Sequence, residues 1–161
     1  MQKRTNELGE IYPAERVTKP LSRPLFLVRI QAGFPSPAED FIERRIDLNR
    51  DLLKHPLDTY YIRVIGDSME PEIPQNSIIV VDRLEEPQNG DIVVACLNAD
   101  MCVKQLSMGS DGRIWLLSKN EKYPPIEVRS GDDFEIWGVV LHAIHSFRGK
   151  NKVGSVKGQA A

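Results

Sequence analysis

Two residues of this chain have the types and settings for joint chemistry, Ser68 and Lys104. Ser68 stands in Gly66-Asp67-Ser68-Met69, directly after Tyr60-Tyr61-Ile62-Arg63-Val64-Ile65. That run is rich in β-branched and aromatic residues and reads as a strand. The serine therefore falls at a strand end, where backbone N–H groups are free to point at an oxyanion. Glu70 occupies the place of the second glycine in a hydrolase nucleophile elbow, so the motif is a different one. A serine hydroxyl also needs a base, and Lys104 is the candidate. In Met101-Cys102-Val103-Lys104-Gln105-Leu106 the period of two puts Cys102, Lys104 and Leu106 on one face. If that face is buried, loss of water favours the neutral amine, which can take a proton from a hydroxyl. Taken alone, the alternation fits a lysine snorkelling at a sheet edge better than a base.

The elements that must position these residues are mostly strands. Stretches 60–65, 77–82, 91–97, 101–106, 113–117, 126–128 and 134–145 are apolar and β-prone. Turn formers separate them: Asn89-Gly90, Asn98-Ala99-Asp100, Gly109-Ser110-Asp111-Gly112, Pro124-Pro125 and Gly131-Asp132. Short strands at this spacing predict a mainly β, curled and mostly antiparallel fold. Short helices precede it. Ser36-Pro37-Ala38-Glu39 is a helix start that predicts burial of Phe41, Ile42 and Ile46, and Asp47 caps a second helix that Pro56 stops. Residues 1–32, broken by Pro13, Pro20 and Pro24, form an expected flexible arm with an excess of basic residues. Within it, Leu25 to Ile30 is apolar enough for a short strand or a docking segment. The body spans 33–148, and 149–161 is an expected disordered tail with a basic character.

The chain has 161 residues and a formal net charge of -2, which suits one domain and does not mark the whole surface as nucleic-acid binding. No run of about 18 apolar residues occurs, so no membrane contact is expected, and the N-terminus lacks a signal-peptide core. Two cysteines are too few for a disulfide framework, which fits a cytoplasmic location. Cys96 and Cys102 flank a three-residue loop and would fall opposite each other, though two thiols are the expected state. His142 and His145 have odd spacing and so face opposite ways on a strand, and neither a metal nor another cofactor is expected.

Four segments in order then carry a resemblance. Val64-Ile65-Gly66-Asp67-Ser68-Met69, Ile78-Ile79-Val80-Val81-Asp82, Asn89 to Ala95 and Val103-Lys104-Gln105-Leu106 resemble the self-cleaving serine–lysine peptidase family of LexA and UmuD. Ala32-Gly33-Phe34-Pro35-Ser36-Pro37-Ala38, Ile46-Asp47-Leu48-Asn49, His55-Pro56 and Trp137-Gly138-Val139-Val140 narrow it to the UmuD and MucA branch, over about residues 25 to 147. The resemblance implies that family's curled β-domain, usually a homodimer. It implies Ser68 as nucleophile, Lys104 as general base, Ala32-Gly33 as the scissile bond, and the N–H groups of Ser68 and Met69 as oxyanion donors. It implies an SOS-response accessory subunit of a translesion DNA polymerase, with a UmuC-like catalytic subunit and a RecA filament on single-stranded DNA as partners. The sequence departs from the pattern twice. The loop after Met69 is one residue short, and Cys102 stands where the family has a threonine that can hold the lysine amine, a thiol being the weaker partner.

Three other readings share some of these features. A LexA-like or phage repressor needs a helical DNA-binding domain upstream, for which 32 proline-broken residues are short. A type I signal peptidase is similar at Ser68-Met69-Glu70-Pro71 but needs a membrane anchor. A non-catalytic β binding module would keep Ser68 and Lys104 as structural residues.

Overall fold

The computed structural model of the chain describes residues 8–13, 22–26 and 42–148. Ten strands and one short helix follow in order: β1 Leu8–Pro13, β2 Arg23–Phe26, β3 Ile42–Ile46, α1 Leu48–Leu52, β4 Thr59–Val64, β5 Ile78–Asp82, β6 Ile92–Leu97, β7 Asp100–Met108, β8 Ile114–Leu117, β9 Ile126–Val128 and β10 Phe134–Ile144. Eight of them form one sheet in the order β1-β4-β5-β10-β6-β7-β8-β9, and β2 pairs β3 in a separate ribbon. Every pairing is antiparallel.

The sheet curls because β10 serves two neighbours. Its first half pairs β6 and its second half pairs β5, with register shifts between Ile136 and Gly138 and between Val140 and His142. Such bulges bend a strand and increase its twist. Gly138 is required at the first bend, since a Cβ there would lie 2.7 Å from Val81 Cγ1 and 3.0 Å from the Asp82 carbonyl oxygen.

Strand β6 shows where the core lies. Val94 joins one buried cluster with Ile62, Val64, Met69, Ile73, Ile79, Val81 and Val103. Its neighbours Val93 and Ala95 join another with Leu106, Leu116 and Val139. Both faces of β6 are covered, which explains its unbroken apolar run. Each fully buried Val, Leu, Ile or Met side chain contributes roughly 1.5–3 kcal/mol.

Three expectations are corrected. The first helix is absent over Ile42–Ile46, which is β3, paired to β2 from Arg23↔Ile46 to Phe26↔Ile42. Cross-strand pairing of a segment bounded by two isoleucines outweighs the capping signal at Ser36, and 36–41 lie outside the described residues. The second helix is present as α1, with the Asp47 side chain accepting from Asn49 N. Residues 1–32 are not without regular structure, since they contribute β1 and β2, and β1 lies on the edge of the main sheet beside β4. The cysteines are not opposite each other. The hairpin turn has two residues, Asn98 and Ala99, at φ 50° and 71°, so Cys96 pairs Met101 and Ala95 pairs Cys102. Cys96 and Cys102 are thus one register step apart, on opposite faces, and no disulfide joins them.

Candidate active site

The turn after β4 is fixed from below and from the side. Met69 and Ile73 are 1% and 2% exposed and sit in the core, and Ile73 N donates to the Met69 carbonyl at 2.8 Å. Glu70 N donates to the Asp67 carbonyl at 3.1 Å. From the side comes the connection between β8 and β9. Lys119 N and Asn120 N both donate to the Ser68 carbonyl, at 3.1 and 3.0 Å, and Asn120 Nδ2 donates to the Asp67 carbonyl at 3.1 Å. The Tyr123 hydroxyl donates to Asp67 Oδ1. That hydrogen bond, with Lys122 nearby, holds the Asp67 carboxyl below the usual carboxylate range against the opposing effect of its partial burial. Gly66 is not among the glycines with positive φ, so the sharpness of the turn comes from these contacts and not from a left-handed glycine.

With its carbonyl doubly bonded and Met69 anchored, Ser68 presents its side chain to β7. Lys104 Nζ donates to Ser68 Oγ at 2.7 Å. Both residues are buried, Ser68 at 7% and Lys104 at 4% exposure. The face predicted from alternation is the inward one, since Leu106 is also buried and Cys102 is half-buried against the same cluster. Across β6, Lys104 is opposite Val93, itself fully buried. An amine held among apolar neighbours and hydrogen-bonded to a hydroxyl is the arrangement a proton transfer between them needs. The backbone N–H groups of Ser68 and Met69 donate to no carbonyl among the described residues.

Beside this pair lies a cleft of about 590 Å³, lined among others by Met101, Cys102, Lys104, Ser118, Tyr123 and Ile126. Apolar side chains (Leu97, Met101, Pro124, Ile126) and polar ones (Asn98, Asp100, Lys104, Ser118) both line it, a mixture that suits a peptide. The expected scissile pair, Ala32 and Gly33, lies outside the described residues. Sequence reasoning missed the contribution of 118–123 entirely. No motif marks that segment. The signal was the β7–β8 hairpin, whose turn at Gly109 to Gly112 fixes the register that carries Ser118, Lys119 and Asn120 back to Ser68.

A second buried polar centre lies at the far end of β4 and β5. Asp82 is fully buried; its Oδ2 is 2.8 Å from His55 Nδ1, and its Oδ1 accepts from Leu84 N and Glu85 N at 2.9 and 3.2 Å. His55, Asp82 and Glu85 bring one ligand-type atom each within 4.8 Å of one another. Each already has a protein partner, Glu85 being paired with Lys54 at 3.0 Å, so the group reads as a structural clasp between the β4 entry and the β5 exit.

A curled β-domain with a buried serine–lysine pair at a strand end and a peptide-sized cleft beside it defines a class of peptidase. Residues 24–141 match the Peptidase S24-like family. Protein SamA of Salmonella typhimurium is 41% identical over 126 residues, covering 78% of this chain and 86% of that protein. Protein MucA of Escherichia coli is 36% identical over 137 residues, covering 84% and 92%. The LexA repressor of Bordetella parapertussis is 35% identical over 138 residues, covering 83% of this chain and 63% of that protein. The chain belongs to the S24 peptidase family and is a self-cleaving serine peptidase connected with the SOS response. No helix among the described residues is long and apolar enough to cross a membrane.

Proposed function

We propose that the chain cuts its own Ala32-Gly33 bond with Ser68 and Lys104. The observation that carries this reading is the 2.7 Å hydrogen bond between Lys104 Nζ and Ser68 Oγ, with both side chains buried. The neutral amine takes the Ser68 hydroxyl proton as Oγ attacks the Ala32 carbonyl carbon. The N–H groups of Ser68 and Met69 receive the oxyanion. The intermediate collapses with cleavage of the C–N bond, and the ammonium of Lys104 gives its proton to the Gly33 nitrogen as it leaves. Water, deprotonated by the same amine, then releases Ala32 from the ester. Small residues at the cut suit a tight approach, and Pro35 favours an extended Phe34.

The wider role follows the relatives. We infer that removal of residues 1–32 activates the chain as a UmuD-like accessory subunit of a translesion DNA polymerase. It acts as a homodimer beside a UmuC-like catalytic subunit, with cutting promoted by RecA filaments on single-stranded DNA. The similarity to Proteins SamA and MucA supports this reading.

The test is direct. Purified protein incubated with activated RecA is expected to yield a product beginning at Gly33 by mass spectrometry. Ser68→Ala and Lys104→Ala are expected to yield none. A dominant new N-terminus elsewhere, or cutting that survives Ser68→Ala, would remove the assignment.

A further inference from the structure

Two shortfalls in hydrogen bonding meet in the cleft. Lys104 Nζ is buried, yet among the described residues Ser68 Oγ is its one hydrogen-bond partner, with the Tyr123 ring centre 6.0 Å away. An amine offers at least two N–H donors beyond any lone pair it directs at Ser68. The second shortfall is Ser118, whose Oγ is inaccessible to solvent and has no hydrogen-bond partner among the described residues. A buried polar atom without a partner is costly and uncommon, and this one shares the cleft with a buried amine that makes a single hydrogen bond, so the two call for a joint explanation.

The register supplies it. Strands β7 and β8 pair Met108↔Ile114, Ser107↔Trp115, Leu106↔Leu116 and Gln105↔Leu117. Continued by one step beyond its last pair, that register sets Ser118 opposite Lys104. Residues directly opposite in an antiparallel pair point to the same face with Cβ atoms roughly 4.5–5.5 Å apart. Leu106 and Leu116, one period back, obey this rule by sharing one buried cluster. Ser118 and Lys104 both line the cleft. The residues following Ser118 are also those whose N–H groups grip the Ser68 carbonyl. Ser118 is thus tied to both members of the pair, to one by register and to the other by chain continuity.

We propose that Ser118 is the positioning residue for Lys104, an assignment that rests on the serine–lysine reading above. Its hydroxyl accepts an N–H of the amine when the cleavage segment fills the cleft, leaving the amine lone pair aimed at Ser68. The contact forms by a change of Ser118 between staggered χ1 wells. After proton transfer the same oxygen shares the new ammonium charge. This gives the chain a hydroxyl beside its lysine although residue 102 is a cysteine, the hydroxyl coming from the neighbouring strand.

Self-cleavage of the full chain with activated RecA tests this, with thermal melts run alongside. Ser118→Ala is expected to slow cutting about five- to tenfold, the rate equivalent of one neutral hydrogen bond, with the melting temperature held within a few degrees. Ser118→Thr, which keeps the hydroxyl, should stay within about twofold of the parent. The decisive variant adds Cys102→Thr to Ser118→Ala. A hydroxyl then emerges one strand period from Lys104, and cutting should return to near the parent rate. Rescue from a different strand is not expected of a residue that only packs or only binds the substrate backbone. Parent-like cutting by Ser118→Ala, or a loss that Cys102→Thr does not restore, overturns the proposal. Ser68→Ala is the separate control, because cutting that persists there defeats the serine–lysine reading itself.

Discussion

Two buried polar centres among the described residues, at Asp82 and at Ser68–Lys104, are built on opposite plans. At Asp82 both carboxylate oxygens are occupied, one by His55 and the other by two backbone N–H groups. The neighbouring carbonyl of His55 accepts from Thr59 Oγ1 at 2.8 Å, and Lys54 closes the rim by pairing with Glu85. Around Ser68 the backbone is equally well held, but the reactive atoms are not. Among the described residues Lys104 Nζ has one hydrogen bond, Ser118 Oγ has none, and the N–H groups of Ser68 and Met69 donate to no carbonyl. A saturated centre has nothing left to offer a ligand and can only stabilise. An unsaturated centre is costly in the resting fold, and on the proposed serine–lysine mechanism its groups are kept for the transition state. The two centres should therefore respond to mutation with opposite signs.

The largest effect is expected at Lys104. Lys104→Met keeps the length of the side chain and removes the amine. Self-cleavage should fall by at least three orders of magnitude, because the base and the proton donor go together. Stability should rise, since a buried amine with unmet donors is replaced by an apolar chain of similar volume. Such exchanges gain about 1–2 kcal/mol. Denaturant titration reads this as a higher midpoint at unchanged slope. A lower midpoint would mean that Lys104 is part of the scaffold, and the contrast between the centres would collapse.

Asp82→Ala is expected to do the reverse. It strands Leu84 N and Glu85 N and deprives His55 of its partner, in a position with no solvent access. The cost is about 2–4 kcal/mol. Cutting by the molecules that remain folded should change less than about twofold, because Asp82 lies at the Thr59 end of β4 and Ser68 follows the Val64 end, roughly 17 Å away along the strand. A large loss of rate at full folding would show that the clasp acts on the site.

The same contrast governs how much was legible in the sequence. The strands from β4 to β10 were readable because β-branched runs alternate with turn formers, and each signal is local. Ser68 and Lys104 were readable as a pair only through the ordered motifs around them, since alternation alone also fits a snorkelling lysine. What escaped needed pairing information. Ile42–Ile46 became a strand through its partner β2, against a good local capping signal. The two cysteines changed relation because the hairpin turn has two residues and not three, and one register step reverses a face. Ser118 was invisible because its meaning lies entirely in the residue across from it. Asp82 appeared only as the last residue of a strand, although its filled hydrogen-bond shell makes it a structural anchor.

Asp67 lies between the two plans, and the smallest effect is expected there. Its carboxyl takes a hydrogen bond from the Tyr123 hydroxyl and a weaker one from Asn120 Nδ2 at 3.4 Å, so it resembles the saturated clasp while sitting next to the nucleophile. The hydrogen bond from Tyr123 is the leading cause of its lowered pKa. A carboxyl lowered in the folded state contributes stability at pH values above its unfolded value, about 3.9, and that contribution disappears as pH falls through the lower folded value. Tyr123→Phe removes the donor. At neutral pH the variant should melt below the parent, by a small margin because Tyr123 is 37% exposed and water can serve Asp67 in its place. As pH drops below about 4 the two melting curves should converge, since protonation takes from the parent what the substitution has already taken from the variant. Cutting at neutral pH should fall by less than about threefold, because the Ser68 carbonyl remains gripped by Lys119 N and Asn120 N. A melting difference that stays constant from pH 7 to pH 3 would show that the Tyr123 hydroxyl stabilises the fold through something other than the ionised Asp67 carboxyl, since phenylalanine keeps the ring. Asp67 would then belong with the unsaturated groups and not with the clasp.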